Sequence, residues 1–437
     1  MVPPPDTFRN HHARPGNFSR PRIQSRRPVR QIADPAAAQG RMAPFEHTDP
    51  APWVQLRNAT FHTLIYQKMI GRADPRARDG DLVKVYDRDA KTFGYGLLNR
   101  HSQLALRMLT FGDQPVDESF LGARIAAAAA LRSATLNLPA QTDAWRVIHA
   151  EGDGLPNLIV DRFGPYAVVE LFGLPMFLRL PAIERALQEC LPIEKVVIRA
   201  DQRVQQHEGF SLPEISGDRR STIITENQVR FQVDLTSGHK TGFFCDQRDN
   251  RRRLAAFTTG ADVLDMCCYS GGFGVYAALL GKARHVTCVD LDEDAIELAR
   301  RNANINNISR GALETVHADS FPYLRQMRQN ERMFDTIILD PPKLIPTRDD
   351  FAEGRQKYFD LNKLALEVIK PGGLLVTCSC SGLLSPEDFA ALLRGTARSA
   401  NRRVQILETT GAGMDHPVMT DCPEGAYLKC AWCRVFA

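Results

Sequence analysis

Asp340-Pro341-Pro342-Lys343 and Thr377-Cys378-Ser379-Cys380-Ser381 hold the residue types best suited to chemistry in this chain. Each follows a run that reads as a buried strand: Phe334-Asp335-Thr336-Ile337-Ile338-Leu339 before the first, Gly373-Leu374-Leu375-Val376 before the second. Open α/β sheets bind ligands beyond the carboxyl ends of their strands. A parallel sheet would therefore present an acid and a thiol together at that end. The pair suits attack on a ring carbon that is unreactive by itself. The Pro-Pro step makes the first loop extended and rigid, able to line a slot for a planar ring. A thiolate at Cys378 can add to carbon 6 of a pyrimidine and make carbon 5 nucleophilic enough to take a methyl group. Asp340 is the candidate acid beside the ring nitrogen. Cys378 also reads as a small core thiol. Cys380, on the same face by strand alternation, competes with it, and ending the strand favours Cys378.

Three more acids end earlier strands. Asp262-Val263-Leu264-Asp265 leads into Cys268-Tyr269-Ser270-Gly271-Gly272-Phe273-Gly274, a strand, glycine turn and helix of nucleotide-binding layout. The glycines allow close backbone approach to a ligand, but no Gly-x-Gly-x-x-Gly is present. Val289-Asp290 ends the next strand, where an acid can accept from both ribose hydroxyls. Ala318-Asp319 follows the third, placed to meet an adenine amino group. Any one of these acids alone reads as a helix cap; four in succession read as a site. Nicotinamide cofactors need a pyrophosphate site and S-adenosylmethionine does not, so S-adenosylmethionine is the expected cofactor.

The elements that must position these residues fall into blocks. From residue 242 strands alternate with helices: strands at 262–266, 285–290, 313–317, 334–339, 373–378, 403–408 and 427–435, helices at about 247–257, 272–281, 292–305, 319–328, 354–369 and 386–399. That alternation predicts an α/β fold, a doubly wound, mostly parallel seven-stranded sheet over residues 241–437. Residues 117–240 read as an alanine-rich linker helix and a small α+β domain, closing with a hairpin turned at Glu226-Asn227. Residues 53–116 read as a small β-barrel with one short helix near residues 58–70. Residues 1–52 carry eight arginines against four acids, an excess equal to the whole formal charge of +4, and ten of the 27 prolines. They read as a disordered basic tail that could touch a polyanion, or as a tail without function upstream of Met42.

At 437 residues the chain is too long for one core. No apolar run is long enough for a bilayer, and no leader pattern opens the chain, so a cytoplasmic protein is expected. Ten cysteines then read as reduced thiols. Cys430 and Cys433 have metal-like spacing, with Cys422 and His416 nearby, but positions i and i+3 of a strand face opposite ways, so no metal site is expected.

Taken with these motifs, Thr241-Gly242-Phe243-Phe244-Cys245-Asp246-Gln247-Arg248, Asp415-His416-Pro417-Val418 and Pro423-Glu424-Gly425-Ala426-Tyr427-Leu428-Lys429 make residues 53–437 resemble the bacterial ribosomal RNA large-subunit methyltransferase I family. The resemblance implies an N-terminal PUA domain that binds RNA, a central α+β domain and a C-terminal class I methyltransferase domain. It implies transfer of methyl from S-adenosylmethionine to carbon 5 of a cytosine in large-subunit ribosomal RNA. It carries cofactor roles onto Asp265, Ser270, Gly271, Asp290, Asp319 and Asp340, places Gln247 and Arg248 on the helix entering the pocket, and maps the motif thiol to Cys378. Tyr66-Gln67-Lys68-Met69-Ile70 and Cys245 depart from the family pattern. Two rival readings remain: an RNA methyltransferase acting on a guanine or exocyclic amine without a covalent step, and a non-catalytic RNA-binding assembly factor. Oligomeric state is left open, a homodimer being one option.

Overall fold

A computed structural model describes residues 42–43, 51–213, 221–235 and 241–437. The expected basic tail lies almost wholly outside the described residues. Residues 43–437 form one unit.

The first sheet has six strands: β1 Trp53–Leu56, β2 Leu64–Ile65, β3 Ile70–Ala73, β4 Leu82–Tyr86, β5 Thr92–Leu98 and β6 Leu106–Phe111. Their order is β2-β6-β5-β4-β1-β3. The helix expected near 58–70 is absent: β2 and β3 occupy the stretch, joined by a single 3-10 turn at Gln67–Met69. Pairing with β1 wins over local helix preference, aided by Gly71, a poor helix former. Val54, Leu56, Val83, Val85, Leu98 and Leu106 fill the interior. Helix α1 Phe120–Ala130 follows.

Central strands β7 Ala144–His149, β8 Leu158–Phe163, β9 Tyr166–Leu171 and β10 Lys195–Arg199 form a sheet in the order β10-β9-β8-β7. Helices α2 Leu174–Phe177 and α3 Leu180–Cys190 connect β9 to β10, and α4 Gln202–Glu208 follows. Ile183, Ala186 and Leu187, at helical spacing, are the buried stripe of α3. The hairpin pairs β11 Ser221–Glu226 with β12 Val229–Asp234. Its turn is Asn227-Gln228, one residue later than expected, both at positive φ (48° and 72°) as a two-residue primed turn requires. Glu226 stays in the strand because its buried carboxylate takes Arg251, with Nε and Nη2 at 2.9 and 2.8 Å.

The last sheet has seven strands: β13 Asp262–Met266, β14 His285–Asp290, β15 Leu313–His317, β16 Phe334–Leu339, β17 Ile369–Ser379, β18 Arg403–Thr410 and β19 Lys429–Phe436. Helices α5 Arg248–Ala255, α6 Gly272–Leu279, α7 Glu293–Ile305, α8 Ser320–Gln329, α9 Phe351–Val368 and α10 Pro386–Ser399 lie before and between them. The order is β15-β14-β13-β16-β17-β19-β18, parallel except for β19, which is antiparallel to both neighbours. The doubly wound, mostly parallel expectation holds. The strand order reverses between β13 and β16, so their carboxyl ends open a crevice there. Both sheet faces are covered: Cys430 packs in the core on one side and Cys433 in the core on the other. The six-stranded sheet is tied to the loop before β19, where Thr63 Oγ1 donates to Asp421 Oδ2 at 2.7 Å and His62 Nε2 lies 3.2 Å from Glu424 Oε1. Among the described residues no helix is long and apolar enough to cross a membrane.

Candidate active site

The crevice is a cavity of about 570 Å³. The turn after β13 forms one wall. Cys267 (φ 57°) and Tyr269 (φ 47°) lie in the left-handed region beside Gly271 (φ 70°), and the strain at the two non-glycine residues is held by surrounding bonds. The Tyr269 N–H donates to Asp290 Oδ2 at 2.8 Å, and Asn302 Nδ2 donates to Ser270 O at 2.8 Å. Gly271 must be glycine twice over: its φ is positive, and an added Cβ would lie 3.0 Å from Ala299 Cβ.

Of the expected cofactor residues, Ser270, Asp290, Asp319, Asp340 and Gln247 line this cavity. Asp290 Oδ1 also accepts from the Asp292 N–H at 3.0 Å, so each of its oxygens has one backbone donor and a lone pair to spare. Asp319 caps α8, its Oδ1 accepting from the Phe321 N–H at 2.8 Å. Leu291, Ala295 and Phe321 make the wall between these two acids apolar.

Gly271, Asp265 and Arg248 are the expected cofactor residues that do not line the cavity. Asp265 is fully buried behind the turn, its Oδ2 accepting from the Gly274 N–H at 2.8 Å. Burial pushes its carboxyl up to about 8. It fastens the glycine turn from inside. Arg248 is also buried and donates twice to Asp415, Nη1 to Oδ2 and Nη2 to Oδ1, both at 2.9 Å. Burial works against the Asp415 charge, yet His416 and Arg248 outweigh it and hold that carboxyl well below the usual range. Asp415 Oδ2 also accepts from the Arg146 N–H at 3.0 Å, and the Tyr427 hydroxyl donates to Asp246 Oδ2 at 2.5 Å. The Asp415-His416 segment therefore pins the C-terminal loop to β7 and α5. Nothing in its linear sequence distinguishes this clamp from a ligand-binding motif.

The reacting end differs from expectation in one decisive respect. The register Leu339↔Thr377 brings the ends of β16 and β17 together, as predicted. Cys378, however, is fully buried. It faces Cys430 across the sheet and packs with Ile338, Val376 and Trp432. The hydrogen bond with Cys430, then burial, pushes its thiol up well above the ordinary range. Gln247 separates it from the acid: Nε2 donates to Asp340 Oδ2 at 3.0 Å and lies 3.6 Å from Cys378 Sγ. Cys380, one residue past the end of β17, is half-buried and lines the cavity with Asp340, Pro341, Pro342 and Lys343. Cys378, one residue inside the end of β17, is therefore packed in the core. The rule that ligands bind beyond strand ends, applied strictly, points to the residue after the strand. Ser381 fixes this turn: its Oγ lies 3.0 Å from the Tyr358 hydroxyl and accepts from the Ile345 N–H at 3.1 Å.

A cavity at the switch point, with acids at the ends of β14, β15 and β16 and a strained glycine turn without a phosphate cradle, defines a class I S-adenosylmethionine-dependent methyltransferase. The family model for S-adenosylmethionine-dependent methyltransferases matches residues 146–430, and that for PUA-like domains matches residues 57–111. The chain is 36% identical over 379 residues to ribosomal RNA large subunit methyltransferase I of Aliivibrio fischeri, covering 86% of this chain and 95% of that one. It is 37% identical over 376 residues to the Aeromonas hydrophila protein of the same name, covering 84% and 94%. A Streptococcus mutans protein assigned as a SAM-dependent methyltransferase has a similar fold, with a TM-score of 0.73 at 18% identity over 87% of this chain and 99% of that one. Another solved structure, of a protein assigned as a methyltransferase in complex with SAH, gives a TM-score of 0.71 at 19% identity over 85% of this chain and 95% of that one. The chain belongs to the ribosomal RNA large subunit methyltransferase I family.

Proposed function

We propose that this protein methylates carbon 5 of a cytosine in large-subunit ribosomal RNA, with Cys380 as the attacking thiol. The observation that carries this reading is that Cys380 and Asp340 line the same cavity as Asp290 and Asp319. The names of the relatives support the RNA substrate, and the PUA-like domain is suited to holding RNA.

The cavity fits the cofactor. Asp290 has lone pairs for two ribose hydroxyls, Asp319 stands where an adenine amino group would lie, and Ser270 and Gln247 face the remaining polar end. S-adenosylmethionine supplies an electrophilic methyl on sulfur. The target base must leave its stack to enter the slot beside Pro341 and Pro342. The Cys380 sulfur adds to carbon 6 while Asp340, its carboxyl steered by Gln247, binds the ring-nitrogen edge. Electron density moves to carbon 5, which takes the methyl group. Loss of the carbon-5 proton to solvent then expels the Cys380 thiolate and restores the ring, and S-adenosylhomocysteine leaves as the other product.

Bisulfite sequencing of ribosomal RNA from a deletion strain tests the substrate. Loss of one methylated cytosine, restored by the wild-type gene, is expected. An unchanged map with a methylated guanine or exocyclic amine missing by nucleoside mass spectrometry would overturn the carbon-5 reading.

A further inference from the structure

Lys429 is 3% exposed and has no part in the methyl-transfer steps. It stands on β19 opposite Ser379, the last residue of β17. Its ammonium reaches across the turn that carries Cys380: Nζ donates to Ser381 O at 2.7 Å and to Tyr427 O at 2.8 Å. An ammonium has three donors, and these carbonyls take two. Among the described residues no carboxylate forms an ion pair with it. A buried charge without a counter-charge is costly. Here burial pushes the lysine down to about 8, a Cys380 thiolate attracts its proton back, and Lys343 repels it.

That attraction is reciprocal: whatever the thiolate does for the ammonium, the ammonium does for the thiolate. We infer that Lys429 is a positioning residue that holds Cys380 as the thiolate, through its charge across the Ser379–Ser381 turn and without touching the base. The inference rests on Cys380 being the nucleophile. Other groups near Cys380 include Lys343 and Asp340, which line the same cavity from the loop after β16, Tyr358 from α9, and the core cluster holding Cys378 and Cys430, against which it packs. Asp340 opposes a second anion in the cavity; Lys343 lines the cavity wall, and Lys429 adds a buried cation across the turn. The thiol proton leaves to solvent. The help is full while Lys429 is protonated and fades as pH rises through about 8.

Iodoacetamide alkylation of the full chain between pH 5 and 10, resolved to Cys380 against Cys378 by fragment mass spectrometry, reads the thiolate directly. Lys429→Met should raise the midpoint of Cys380 labelling by about one pH unit or more, which slows labelling about tenfold at a pH below both midpoints. Lys429→Arg should keep the rate within about threefold of wild type. S-adenosylmethionine binding in the same samples reports folding, and Lys429→Gln, which retains a donor for Ser381 O, serves if the methionine variant does not fold. An unchanged midpoint in a folded Met or Gln variant overturns the role of Lys429. No RNA enters this assay, so that result leaves carbon-5 methylation standing. Conversely, methylation retained in Cys380→Ala removes the nucleophile reading while the alkylation result stands.

Discussion

The Gln247 amide donates to the Asp340 carboxylate at 3.0 Å, and this bond sets the reacting end of the cavity. The amide is itself fixed, its Oε1 accepting from Asn250 Nδ2 at 2.6 Å while Asn250 Oδ1 accepts from Thr410 Oγ1 at 2.7 Å. A hydrogen bond to a charged group is worth about 1.5–3 kcal/mol. Gln247→Leu should therefore lower kcat roughly 10- to 100-fold. Isothermal titration should show S-adenosylmethionine affinity falling by less than the turnover, about tenfold at most, since Gln247 also faces the polar end of the cofactor. A variant with full turnover would show that Asp340 needs no steering.

The two neighbouring cysteines separate cleanly by mutation. Cys380→Ala should abolish methyl transfer and leave cofactor binding intact. Cys378→Ala should keep methyl transfer and cost about 1–2 kcal/mol in urea unfolding, the effect of a small cavity in a packed core. The opposite pattern in single-turnover assays would return the nucleophile to Cys378.

Asp265 couples stability to pH. Its folded carboxyl titrates near 8 and its unfolded one near the ordinary carboxylate value of about 3.9. The folded state therefore binds the extra proton between roughly pH 4 and 8, so this group's contribution is complete below that window and is lost as pH rises through it. Asp265→Asn keeps an acceptor for the Gly274 N–H and has no charge to bury. The mutant should show a flatter stability profile from pH 5 to 8 in denaturant titrations, with its gain over wild type largest at pH 8. An identical slope in both proteins would mean that Asp265 is ionised when folded.

Arg248 and Asp415 form a structural clamp, so breaking it should affect folding ahead of cofactor binding. Arg248→Met leaves a buried carboxylate without its partner and should cost about 3–5 kcal/mol. Cofactor affinity per folded molecule should stay within about twofold of wild type, since Arg248 lies outside the cavity. A large affinity loss in a stably folded variant would restore Arg248 as a cofactor ligand.

Much of this molecule was legible in the linear chain. Strand–helix alternation from residue 242 predicts a parallel sheet because a buried strand and a half-buried helix carry different apolar periods, and each of the seven expected strands is present within a few residues. Acids at the ends of four of those strands point to the crevice because parallel strands all end on one side. Three of the four, Asp290, Asp319 and Asp340, line it. Local pattern failed where packing decides. A strand's period of two says which residues share a face, not where the strand stops or what covers its end, so Cys378 and Cys380 looked alike. Only the tertiary structure lays Gln247 over one sulfur and leaves the other on the cavity wall. The same limit hid Arg248, Asp265 and Asp415. Their partners are distant in sequence, and a charged side chain reads the same whether it meets a ligand or another residue of the core.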